Sequence, residues 1–118
     1  MAKYEFLNKA VVMNRIEKKR LQEHARIIKA MAHPTRLFII EELQRGERCV
    51  CDLQALIQSD MSTVSRHLSI LKNAGLIQDE RRGVQIFYSL RVPCVLNFLG
   101  CVDAVLEANR KSHLELVS

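Results

Sequence analysis

The sequence predicts a mainly α-helical domain carrying one small β-hairpin, and three observations predict it. Apolar residues recur at helical spacing along most of the chain. The two prolines, Pro34 and Pro93, each stand where a helix can begin. Between Leu76 and Leu90 the apolar period falls to that of a strand. The order is helices, a hairpin and a final helix, within a single domain spanning residues 1–118.

Each element has its own justification. Residues from about Tyr4 to Ala32 lack Gly and Pro, and Leu21, Ala25, Ile28 and Met31 recur at helical spacing. Pro34 fits the first position of a second helix with Leu37, Ile40 and Leu43 as its stripe, and Gly46 follows its end. A short third helix covers Asp52 to Gln58, with Leu53, Leu56 and Ile57 facing inward and Cys51 in the N-cap place. After the turn Ser59-Asp60-Met61, a longer helix runs from Ser62 to Ala74 and is stopped by Gly75. Leu76 to Glu80 then pairs with Gln85 to Leu90 across Arg81-Arg82-Gly83. A two-stranded ribbon is too small to stand alone, so it must pack on the helices. The last helix starts at Pro93 and runs to about Ala108, with Val95, Leu96, Leu99, Val102, Val105 and Leu106 making a wide apolar face.

Composition narrows the function. Lys and Arg total 18 against 13 Asp and Glu, a net charge of +5 that suits a polyanionic partner. No apolar run approaches the roughly 18 residues of a membrane span. The start, Met1-Ala2-Lys3-Tyr4-Glu5, lacks a signal peptide's basic residues followed by an apolar stretch. These features predict a cytoplasmic protein without a membrane partner, in a compartment where thiols stay reduced. Four cysteines there read as metal-binding or redox-sensing before they read as disulfides. An enzyme is not expected: there is no Cys-x-x-Cys beside a βαβ unit, no Gly-rich phosphate loop and no Ser-His-Asp arrangement.

Two helices joined by a tight turn can place the second in the major groove of double-stranded DNA. On that helix Val64, Leu68 and Leu71 form the inward stripe, leaving Ser62, Thr63, Ser65, Arg66 and His67 toward the outer surface as DNA contacts. Short hydroxyls there can bond phosphates or bases, and an arginine can grip guanine with two bonds. Arg81 and Arg82, beside the flexible Gly83, look like the tip of a wing placed to reach backbone phosphates or a minor groove.

The motifs His33-Pro34-Thr35-Arg36-Leu37, Cys49-Val50-Cys51-Asp52-Leu53, Ser62-Thr63-Val64-Ser65-Arg66-His67-Leu68, Leu71-Lys72-Asn73-Ala74-Gly75-Leu76 and Phe87-Tyr88 occur in that order. In these segments, within a stretch from about Leu21 to Leu106, the chain resembles the ArsR/SmtB family of metal- and metalloid-responsive repressors. The resemblance implies a winged helix-turn-helix homodimer, joined through its N- and C-terminal helices, that binds operator DNA and releases it when an inducer binds. The wide apolar face of the last helix gives separate support for a dimer. A two-fold dimer would set its recognition helices about 34 Å apart, matching successive major grooves.

Cys49 and Cys51 are separated by a single residue, and an all-thiolate site favours thiophilic ions over the oxygen-seeking Mg, Ca or Mn. The resemblance ties Cys-Val-Cys-Asp-Leu to arsenite or antimonite sensors that use three thiolates, and to cadmium or lead sensors that add N-terminal cysteines. This chain departs from both patterns: Gln54 replaces the expected third thiol, and no cysteine precedes Cys49. Cys94 is the expected third ligand, with Cys101 as an alternative. Zinc ligands on the last helix are not reproduced by Asp103 and His113. His33 is expected to cap or pack, and His24 and His113 to be solvated or interfacial. The expected inducer is arsenite or antimonite, with cadmium or lead, or thiol oxidation or persulfidation, as alternatives.

Overall fold

The computed structural model describes residues 13–117. Asn14 caps the first helix, α1 (Arg15–Met31), its Oδ1 accepting from the Glu17 N–H at 2.9 Å. The part of the expected first helix from Tyr4 to Val12 lies outside the described residues. Helix α2 (Pro34–Gln44) has proline at its first position, where a missing N–H leaves no helical bond unmade, and His33 as its cap. There follow β1 (Arg48–Cys49), α3 (Val50–Ile57), α4 (Met61–Asn73), β2 (Ile77–Arg82), β3 (Gln85–Leu90) and α5 (Val95–Val117). The last helix therefore runs beyond the Ala108 end that the sequence predicts.

The strands form a three-stranded antiparallel sheet in the order β1-β3-β2. Arg48 pairs with Tyr88 and Cys49 with Phe87, so the segment just before α3 is stitched to the hairpin. Two residues carry no readable periodicity, and β1 is accordingly absent from the sequence prediction. The pair Arg82–Gln85 leaves Gly83-Val84 as the loop, which places Arg81 and Arg82 in β2 instead of in the turn. Gly83, with φ 64°, stands at the first loop position, where II′-type hairpins need glycine.

Helix α4 ends on a Schellman motif. The Gly75 N–H bonds the Lys72 carbonyl at 2.9 Å, and the Leu76 N–H bonds the Leu71 carbonyl at 3.0 Å. Gly75 takes φ 85°, and a Cβ there would come within 3.0 Å of Arg91 Nη1. The motif turns the chain directly into β2, so the hairpin leaves the base of α4 in a defined direction.

Ile39, Ile40, Leu53, Leu68 and Leu71 have no accessible surface and form the centre of the core between α2, α3 and α4. Leu56, expected to face inward, is 49% exposed. An eight-residue helix offers one narrow inner face, which Leu53 fills.

Candidate nucleic-acid interface

Gln58 takes the left-handed conformation (φ 61°, ψ 40°), letting α3 turn into α4 over residues 58–60. Asp60 is the N-cap of α4, yet its carboxylate bonds no backbone N–H there. It accepts instead from the hydroxyls of Ser62 and Thr63. Those two bonds hold the Asp60 carboxyl below its ordinary range. A carboxylate thus stands at the head of α4, holding two of the predicted DNA-contact side chains.

Ser62, Ser65 and Arg66 are exposed along the N-terminal half of α4, and Thr63 is half-buried. His67 departs from the prediction. It is 9% exposed, on the same face as the buried Val64, Leu68 and Leu71. The spacing 64, 67, 68, 71 is itself one helical face, a signal present in the sequence. His67 is therefore not presented to DNA with its neighbours.

Behind α4 lies a polar cluster. Arg36 Nε donates to the Ala30 carbonyl at 2.6 Å, and Arg36 Nη1 lies 3.1 Å from His67 Nδ1. The rings of His33 and His67 have centroids 4.4 Å apart, tilted by 43°. His33 Nδ1 accepts from the Thr35 N–H at 3.0 Å, capping α2 in line with the sequence expectation. Burial, then the unfavourable electrostatics of a proton beside His33, Arg36 and Arg66, pushes the His67 imidazole below its ordinary value.

The wing arginines have different surroundings. Arg81 is exposed on β2. Arg82 chelates both carboxylate oxygens of Glu47, also binds Glu80 at 2.9 Å, and lies over the Phe87 ring with Cζ 4.7 Å from its centroid. The guanidinium holds the Glu47 carboxyl below its ordinary range and is itself held more firmly protonated. Arg82 thus ties the hairpin to the residues just before Cys49.

The cysteines fall into distinct environments. Cys49, not Cys51, is the N-cap of α3: it is buried, and its Sγ accepts from the Asp52 N–H at 3.4 Å. The helix begins at Val50, ahead of the predicted Asp52, because Cys49 leaves the sheet with the extended backbone a cap requires. Cys51 falls within the first helical turn and is exposed, as are Cys94 and Cys101. Among the described residues no three His, Cys, Asp or Glu side chains are gathered to hold a metal ion. The predicted set Cys49, Cys51 and Cys94 is therefore not assembled within one chain in this conformation. The start of a helix sends the first of the paired thiols into the core and the second to solvent.

Residues 33–79 match the family described as bacterial regulatory protein, arsR family. The chain is 40% identical over 76 residues to the transcriptional repressor SmtB homolog of Synechocystis, covering 64% of this chain and 58% of that protein. It thus spans little more than half the length of that relative. It is 39% identical over 79 residues to the arsenical resistance operon repressor of Bacillus subtilis, covering 66% of this chain and 75% of the relative. Its fold is similar to that of a homodimeric winged helix-turn-helix DNA-binding domain from Mycobacterium bovis, with TM-score 0.71 and 27% identity over 87% of this chain and 95% of the other.

Proposed function

Because the chain belongs to the ArsR family of bacterial regulatory proteins, we propose that it is a homodimeric repressor that reads operator DNA with α4 and releases it when arsenite or antimonite engages its cysteine thiolates. It acts by binding, not by catalysis, and its place of action is the cytoplasm. Among the described residues no helix is long and apolar enough to cross a membrane.

The position of Cys49 carries this reading. One residue ends β1, pairs with Phe87 of β3 and caps α3, the helix that supports α4. Any chemistry that takes up the Cys49 sulfur competes with its bond to the Asp52 N–H and loosens the start of α3. Of the paired thiols, Cys51, exposed in the first turn, is the one a ligand from solvent meets first. The third thiolate belongs to Cys94 or Cys101, brought up by rearrangement or from a second protomer.

DNA reading rests on the exposed Ser62, Ser65 and Arg66, with Thr63 beside them and Arg81 on the wing. Dimerisation rests on α1 and α5. Helix α1 buries only Ala30 and Met31, while Leu21, Ile28, Phe98, Val102, Val105 and Leu106 remain exposed in the single chain. The Cα radius of gyration is 19.3 Å, against about 13 Å for a compact chain of this length. Helices that project this far find their apolar cover on a second copy.

The test is fluorescence anisotropy of the reduced protein on its own promoter DNA, titrated with arsenite and, in parallel, with cadmium and zinc. Arsenite is expected to release the DNA near one equivalent per protomer. Cys51→Ser is expected to bind DNA as the parent does and to resist release. Cys49→Ser keeps a capping oxygen and should also bind without responding, whereas Cys49→Ala loses the cap and about 0.5–2 kcal/mol of stability. Release by cadmium alone would change the inducer. Release by oxidant but by no metal would move the switch to thiol oxidation, and failure to bind the promoter would overturn the repressor reading itself.

A further inference from the structure

We propose that His67 is a positioning residue for the recognition helix, held as the neutral Nε2–H tautomer by Arg36, and that its protonation weakens operator binding. The inference rests on the DNA-reading role of α4 and adds a second control on it, separate from the cysteines.

The geometry comes from three elements. Arg36, in the first turn of α2, donates through Nε to the Ala30 carbonyl of α1 and through Nη1 toward His67 Nδ1 on α4. A guanidinium has only donors, so the contact at 3.1 Å requires a bare, accepting Nδ1 and places the ring proton on Nε2. One side chain thereby joins the end of α1, the start of α2 and the middle of α4. His67 is the one buried polar side chain among the described residues.

Protonation would turn this contact into donor against donor. The groups around His67 give no compensation: the His33 imidazole and the Arg36 guanidinium face it from the start of α2, and Arg66 adjoins it on α4. From α1 comes the Ala30 carbonyl, already taken by Arg36, and the nearby cations Arg26 and Lys29 line the same groove as Arg36. A proton on His67 thus adds a charge to a cationic cluster beneath the residues that meet DNA. The His33 ring lies tilted against the same imidazole, its Nδ1 already taken by the Thr35 N–H. The ordinary imidazole value is 6.5, and the folded value lies below it. Between the two the unfolded chain binds more protons, so folding stability present at neutral pH falls as the pH drops through that window.

Two measurements test the proposal. Nitrogen NMR of the free protein should find Nδ1 of His67 unprotonated at neutral pH, and a titration midpoint below the ordinary imidazole value of 6.5. A protonated Nδ1, or a midpoint at or above that ordinary value, would overturn the assignment whatever the DNA does. Promoter affinity is then followed by anisotropy from about pH 8 to about pH 5.5. The parent protein should weaken by up to about tenfold per pH unit per protomer below the His67 midpoint. His67→Asn places an accepting Oδ1 where Nδ1 stood and cannot titrate; it should bind as the parent does at the upper end and lose most of the pH dependence. His67→Leu should bind weakly throughout. A pH profile unchanged in His67→Asn would overturn the proposal, and absence of promoter binding at every pH would instead overturn the operator reading.

Discussion

Leu68→Ala is expected to lower the free energy of unfolding by about 2–5 kcal/mol, the cost of emptying a buried leucine site. Leu68 has no accessible surface and sits on the inner face of α4 with Val64 and Leu71. Against a typical stability of about 5–15 kcal/mol, the loss is a large share of what holds the fold. Urea unfolding followed by far-UV circular dichroism, at one protomer concentration, measures it. Ser69→Ala, the next residue and on the exposed side, should stay within about 0.5 kcal/mol of the parent. Equal effects from the two substitutions would mean that the inner face of α4 has been wrongly identified.

Arg66→Ala is expected to weaken promoter binding by about 5- to 150-fold, the equivalent of one good bidentate base contact, while leaving the unfolding curve unchanged. The side chain is exposed at the outer face of α4. Lys72→Ala, at the far end of the same helix and paired with Asp79 at 3.0 Å, should have a much smaller effect. Repeating the measurement on scrambled DNA separates the roles. If Arg66 reads a base, its loss spares scrambled DNA; if it holds a phosphate, both DNAs weaken alike.

The elements that carry long apolar periods are legible in the sequence, and so are their ends wherever Pro or Gly marks them. Pro34 at the head of α2, Gly75 after α4 and Gly83 in the hairpin all fall where backbone stereochemistry requires. What escapes depends on partners distant in sequence. The two residues of β1 are a strand only because Tyr88 and Phe87 lie opposite them. That pairing, in turn, makes Cys49 the cap and pushes Cys51 into the helix. Chemistry alone, a polar residue beside an arginine, sends His67 to the DNA face, although its spacing from Val64 and Leu71 places it inside. Its burial is tolerable only because Arg36, far back in the chain, meets it. The hydroxyl face of α4 is readable, whereas the grip of Asp60 on Ser62 and Thr63 is not.

The unequal surroundings of Arg81 and Arg82 have a consequence in the ionic strength dependence of binding. An arginine that meets a phosphate displaces counterions condensed on the DNA, and each such contact steepens the fall of log affinity with log salt by about 0.9. Arg82 already has its counterions built in, as the carboxylates of Glu47 and Glu80, so DNA gains little by replacing them. Removing Arg81 should flatten the salt dependence by about one phosphate contact per protomer. Removing Arg82 should lower affinity through a loosened hairpin and leave the slope where it was. The wing then brings one available charge to the DNA and keeps the other for its own shape.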